Sequence, residues 1–236
     1  MEILKNLFGK SNKWDQHKLV SEIRKWQDSK SLPLESSLPS SFYLSTEFWD
    51  SAKRIYTFTY KDKKEHAISL WSIYKQIVVT DVTRGSASKV TTQDRIQVKF
   101  DPIKGKQEYT MRVMVNGEQK ERRTVKVSDI KKVQQNKELR FLFNIHTHPP
   151  HNIEGMLLQN EYSYFSQTDL NTLLTGSAPA IGLITDKVIF VFKTRNTPKE
   201  HGLGENEHPT REYNRDVLKL VEYEADFVKK LFVRKV

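Results

Sequence analysis

The sequence predicts an α/β fold, a mixed β-sheet flanked by helices, and three observations point there. Helical and strand periodicities alternate along the chain. The most apolar runs, "LRFLFNIHTH" and "AIGLITDKVIFVFKT", are short and rich in Ile, Val and Phe, as buried strands are. A length of 236 residues suits one domain with decorations, large enough to bury a core without staples.

The elements follow in order. Residues 14–28, "WDQHKLVSEIRKWQD", space Trp14, Leu19, Ile23 and Trp26 as one face of an amphipathic helix. The Ser/Pro-rich run at 29–41 breaks it and reads as a linker. "TEFWDSAKRIYTF" predicts a short helix capped by Thr46, and "EHAISLWSIYKQIVVTDVTRG" predicts two strands. Residues 94–133 read as an inserted pair or trio of strands with basic outer faces, punctuated by Pro102, Gly105 and the turn signal Asn116-Gly117.

"LRFLFNIHTH" is one buried strand, "SQTDLNTLLTG" a short helix closed by Gly176, and "AIGLITDKVIFVFKT" a further strand pair. Beyond Gly202, Gly204 and Pro209, "TREYNRDVLKLVEYEADFVKKLF" predicts a terminal helix with Val217, Leu220, Val221, Ala225, Val228 and Leu231 on one side. The chain thus divides into a helical extension and linker (1–40), a central domain (41–200) and a C-terminal linker and helix (201–236).

Composition narrows the chemistry. With no cysteine, disulfides and thiolate metal sites are excluded, and any transition metal must be held by histidines and carboxylates. The opening stretch is interrupted by Lys5, Lys10 and Lys13, which predicts neither a signal peptide nor a membrane span, hence a soluble, cytoplasmic protein. Thirty-nine Lys and Arg against 29 Asp and Glu give a net charge of +10, which raises on-rates for anionic partners such as nucleic acid. A solvated Lys-rich surface accounts for the same surplus, since no aromatic-interleaved basic motif accompanies it.

The chemistry concentrates in residues 144–170, "NIHTHPPHNIEGMLLQNEYSYFSQTDL". On a strand, residues two apart face the same way, so His146 and His148 project from one face at the strand end. Ser166-x-x-Asp169 is close to a capping box. A cap and a ligand role are compatible, because a capped helix start also holds Asp169 toward the strand end. A His-His-Asp set leaves the fourth position of a tetrahedral zinc open, the catalytic pattern. Such a site needs a base, and Glu65, at the start of "EHAISLW", is the candidate, although a lone glutamate is ordinarily a surface carboxylate. His151 is an additional candidate ligand, with a loop-surface histidine the plainer account.

The order of elements, with Glu65 at a strand edge, "IHTHP" ending an apolar strand and "SQTDL" opening a helix, resembles the JAMM family, also called MPN or JAB domains. Glu65, His146, His148, Pro149, Ser166 and Asp169 carry the resemblance, which covers about residues 41–195. It implies a JAMM/cytidine-deaminase-like core and a zinc isopeptidase that cuts a ubiquitin-like protein from a lysine or trims its C-terminal extension. In it, His146, His148 and Asp169 ligate zinc, Glu65 is general base and acid, and Ser166 hydrogen-bonds the oxyanion.

Two intervals exceed the family's: 20 residues, Pro149 to Thr168, between His148 and Asp169, and 80 between Glu65 and His146. An inserted loop and the 94–133 region account for them; Glu108 and Glu138 are the substitute bases. Met156, Leu157, Leu158, Tyr162, Tyr164 and Phe165 either clamp an extended substrate tail or fill a satellite core under the long loop. Two alternatives stand beside the isopeptidase: an inactive scaffold of the same family, which the complete residue set argues against, and a nucleic-acid-associated protein similar to the RadC branch.

Overall fold

The structure, a computed structural model, describes residues 12–73, 76–80, 82–86, 96–115, 117–128, 130, 139–149, 164–205 and 207–236. It opens with β1 (Lys13–Trp14), α1 (Gln16–Ser29), β2 (Ser41–Tyr43) and α2 (Thr46–Asp62). β3 (His66–Ile73), β4 (Gln76–Val79) and β5 (Thr83–Arg84) follow, then β6 (Ile96–Pro102), β7 (Glu108–Val115) and β8 (Glu118–Lys126). The remainder is β9 (Leu139–Thr147), α3 (Gln167–Thr175), β10 (Ala180–Ile184), β11 (Val188–Phe192), α4 (Arg211–Asp216), β12 (Val221–Ala225) and β13 (Leu231–Arg234).

The main sheet runs β1-β2-β13-β12-β11-β10-β9-β3-β4, with β5 paired to the start of β3. It is mixed: β9 and β10 are parallel, β9 and β3 antiparallel. The α/β class read from the sequence is therefore the class observed.

Period-two alternation sorts the strand residues onto two covered faces. Phe143 and Ile145 of β9, Ile184 of β10 and Phe190 and Phe192 of β11 pack with α1 and α2. Their neighbours Ile181, Leu183, Ile189 and Val191 pack instead under α3 with Leu170, Leu173 and Leu174. At the centre of the first face Phe42 stacks on Phe232, ring centroids 4.6 Å apart. β6, β7 and β8 form a separate antiparallel sheet, the trio of the expected pair or trio, whose Met111, Val113 and Val125 pack on Ile73 and Val78 of the main sheet.

Three expectations are corrected. Trp14 is not helical: Asp15 is the N-cap of α1, accepting the Lys18 N–H at 2.7 Å, so Trp14 falls outside the helix and is buried in β1. The cap of α2 is Ser45, one residue before Thr46, because the Ser45 hydroxyl takes the Phe48 N–H.

The terminal helix does not exist as one element. α4 stops at Asp216, and residues 221–225 and 231–234 are strands that complete the sheet between β11 and β2. Lys219 (φ 53°) and Lys230 (φ 56°) adopt left-handed backbone, which interrupts any helix. Val221, Tyr223 and Ala225 alternate with Glu222 and Glu224 as buried and half-buried positions of a strand. Val228, assigned to the apolar stripe, is 90% exposed. Among the described residues no helix is long and apolar enough to cross a membrane.

Candidate metal centre

β9 carries the two histidines out to the end of the sheet. Leu183 of β10 lies beside His146 in register, and Ala67 of β3 lies opposite it. Strand alternation turns Asn144, His146 and His148 to the face covered by α3 and leaves Thr147 on the face covered by α2. Close approach of β10 is part of this placement. A Cβ on Gly182 would meet Ile145 Cγ1 and Phe190 at 2.7 Å, so a glycine is required there. The backbone of Gly182 also hydrogen-bonds the His146 side chain, the type of contact that orients a ligating imidazole.

α3 supplies the third group. Ser166 caps the helix: its Oγ accepts the Asp169 N–H at 3.2 Å, while Asp169 Oδ2 accepts both the Ser166 N–H and O–H at 2.8 Å. The capping box and the approach to the histidines coexist. Asp169 Oδ1 is 3.1 Å from His146 Nε2, Asp169 Oδ2 is 3.3 Å from His148 Nε2, and the two Nε2 atoms are 3.1 Å apart. His146, His148 and Asp169 therefore form a group able to hold a metal ion.

Electrostatics tie the three together. Burial pushes the His146 imidazole down, but the Asp169 carboxylate, Glu65 and the Gly182 backbone outweigh it, and its pKa is raised. Burial raises the Asp169 carboxyl, yet His146 and His148 hold it well below the usual carboxylate range, so it is ionised. His148 Nδ1 is buried with no hydrogen-bond partner among the described residues, so only His146 has its outer nitrogen side anchored.

Glu65 directly precedes β3 and is 8% exposed. Its N–H donates to Ser86 O and its carbonyl accepts from Gly85 N–H, both at 2.8 Å. Extending the Ala67–His146 register by two residues sets Glu65 opposite His148, on the same face as both histidines. Its contribution to the charge state of His146 agrees with that placement. The substitute Glu108 belongs to β7 in the separate sheet, and Glu138 lies outside the described residues.

Met156, Leu157, Leu158, Tyr162 and His151 also lie outside the described residues. Tyr164 and Phe165 are 7% and 1% exposed and fill the core under α3. The Tyr164 hydroxyl donates to Glu222 Oε2 at 2.6 Å and accepts from Asn214 Nδ2 at 3.0 Å. Burial and Glu222 push its pKa up, so it stays a neutral donor. These two residues anchor the N-terminal end of α3.

Sequence reasoning passed over a polar cluster on the opposite face of the same strands. Thr147 Oγ1 accepts the His66 N–H at 2.9 Å and donates to the His66 carbonyl at 3.2 Å. It also meets the hydroxyl of Thr59 on α2, which lies 2.9 Å from His66 Nδ1. Asp62 Oδ2 is 3.4 Å from His66 Nε2 and 2.8 Å from Arg84 Nε. The available signal was a histidine and a threonine at core-facing positions of otherwise apolar strands, since buried polar side chains require partners.

Comparison of the chain with protein-family models and with curated proteins finds no match in either.

Proposed function

We propose that this chain is a zinc-dependent metallo-isopeptidase or peptidase that hydrolyses the bond between a ubiquitin-like C-terminus and a lysine or C-terminal extension. The observation that carries the proposal is the convergence of His146, His148 and Asp169, their ligand atoms within 4.8 Å of one another across 20 intervening residues, beside a buried Glu65. The resemblance to the JAMM family at Glu65, His146, His148, Pro149, Ser166 and Asp169 supplies the reaction class.

The donor set suits zinc. Donor atoms around a tetrahedral zinc at about 2.0–2.1 Å are about 3.3 Å apart; the two Nε2 atoms are 3.1 Å apart, and each nitrogen is within 3.3 Å of a different Asp169 oxygen, Oδ1 for His146 and Oδ2 for His148. Two imidazoles and one carboxylate leave a coordination position for water or substrate. A zinc ion held there would act as a Lewis acid toward the scissile carbonyl and lower the pKa of a water toward neutrality.

The remaining steps belong to the chain's own residues. Glu65 accepts a proton from the attacking water as the C–O bond forms and delivers it to the amine as the C–N bond breaks, ending in its starting state. Ser166 holds Asp169 through its hydroxyl, which donates to Oδ2; serving an oxyanion requires that O–H to turn away from Asp169.

The test is incubation of the zinc-loaded protein with lysine-linked ubiquitin-like conjugates and with C-terminal amide probes. Cleavage lost on chelation and in Glu65→Gln supports the proposal. A zinc-replete protein inert toward the whole panel sinks it and favours the scaffold.

A second reading, association with nucleic acid, draws on one observation. Lys99, Arg112 and Arg122 stand side by side across β6, β7 and β8, with Arg112 also paired to Asp101 at 2.7 Å, and a row with a net surplus of positive charge favours an anionic partner. Salt-dependent binding to duplex or single-stranded DNA would support it.

A further inference from the structure

We infer that Thr147 is a positioning residue: its hydroxyl forms the last rung between β9 and β3 and thereby fixes Glu65 relative to the metal-ligating face. The inference rests on the functional assignment above for its catalytic consequence, though not for its structural content.

The end of β3 is held from both sides. On the β5 side, Glu65 exchanges two backbone hydrogen bonds with Gly85 and Ser86, each 2.8 Å. On the β9 side, the pairing runs from Ile73–Leu139 to Ala67–His146, with a register shift between Leu70 and Trp71 and unbroken register from Leu70–Phe143 to Ala67–His146. At the next position the tie is made by a side chain: Thr147 Oγ1 takes the His66 N–H at 2.9 Å and gives its proton to the His66 carbonyl at 3.2 Å. His66 is the residue after Glu65, and Thr147 stands between the two histidines. One hydroxyl thus couples the peptide next to the base to the strand segment carrying both nitrogen ligands.

That hydroxyl is itself anchored. Thr147 is fully buried and Thr59 is 2% exposed, and their hydroxyls meet beneath the sheet. Thr59 Oγ1 and the Lys64 carbonyl lie 2.9 and 3.0 Å from His66 Nδ1, which locks the His66 ring against α2. A rung of backbone atoms alone would leave the α2 face uninvolved. A threonine rung ties the base, the ligands and α2 together, and its β-branched stiffness restricts where the hydroxyl points. Positioning of this kind acts on turnover, since a small displacement of a reacting group costs up to about 100-fold in rate.

The test compares the full-length parent with Thr147→Val and Thr147→Ser. Valine keeps the shape and removes the hydroxyl; serine keeps the hydroxyl and removes the methyl. Zinc stoichiometry, amide hydrogen exchange at His66, and kcat and KM on a fluorogenic ubiquitin-like C-terminal amide are measured together. The expected result is unchanged zinc content in all three, with His66 exchange accelerated in Thr147→Val and restored in Thr147→Ser. kcat should fall about 10- to 100-fold in the valine variant with KM within about threefold, and recover in the serine variant.

Two folded, zinc-loaded variants that behave alike, or a valine variant with parental exchange and kcat, overturn the inference. If the parent cleaves nothing, the functional assignment fails while exchange at His66 still decides whether the hydroxyl holds the end of β3. If valine prevents folding, the serine variant decides alone: parental exchange and kcat support the hydroxyl, and loss of both contradicts it.

Discussion

Nε2 of His146 lies 3.1 Å from Nε2 of His148, and each also lies within 3.3 Å of an Asp169 oxygen. Two imidazole nitrogens at this range cannot both donate to one another, so one lone pair must face the other ring or a cation. A shared cation would satisfy both nitrogens and the carboxylate at once, and the three residues form a group that could hold one.

Glu65 is expected to matter for turnover and not for metal retention. Glu65→Gln should keep the parental zinc content and the fold, while kcat on a cleavable conjugate drops about 100- to 10,000-fold, the usual contribution of a positioned acid–base group. Elemental analysis beside steady-state kinetics checks both halves. Loss of zinc in this variant would make Glu65 a ligand.

Ser166 joins the helix cap to the candidate metal group. Ser166→Ala removes the acceptor for the Asp169 N–H and the O–H donated to Asp169 Oδ2. The loss should be about 1 kcal/mol of stability, or a melting temperature lower by about 2–4 °C for a chain of this size. Zinc affinity should fall as well, because Asp169 is no longer aimed; a competition titration with a chelating dye measures that. Unchanged stability and affinity would contradict both roles.

Acid sensitivity should trace partly to Glu224. Burial raises its carboxyl, but a hydrogen bond from Lys187, with Lys235 and Arg211, lowers it below the ordinary value of 4.5. A carboxylate with a depressed folded pKa stabilises the native state above its unfolded pKa, and this contribution is lost as pH falls through the folded value. The window therefore lies below about pH 4.5. Because Lys187 is exposed, the effect is small, about 1 kcal/mol or less. Melting curves from pH 7 to pH 3 should show the parent losing more stability in that window than Glu224→Gln.

The C-terminal strand offers a packing test. Phe232 is fully buried and stacks on Phe42 at 4.6 Å. Phe232→Ala should cost about 3–5 kcal/mol, as loss of a core phenylalanine does, read as a shift of the denaturation midpoint. A cost near zero would return residue 232 to a solvent-facing helix position.

The His146, His148 and Asp169 group was legible because each part sits where local rules are strong. A strand end with H-x-H fixes the facing of both imidazoles, and a Ser-x-x-Asp start fixes the first turn of α3. Glu65 was legible as a strand-edge carboxylate, while its burial comes from pairing with Gly85 and Ser86, which no local pattern announces. The C-terminal segment misled because Val217, Leu220, Val221 and Ala225 satisfy a helical period while Val221, Tyr223 and Ala225 also satisfy a strand period. Sheet pairing with β11 selected the strand. Thr147 and His66 escaped notice because their partners Thr59 and Asp62 lie on another element.

The most direct test is metal content by elemental analysis of the purified chain beside Asp169→Ala, with zinc offered to both. Close to one zinc per chain is expected in the parent, with its loss in the variant. No zinc in either, or equal zinc in both, would contradict the ligand set on which the proposed chemistry depends.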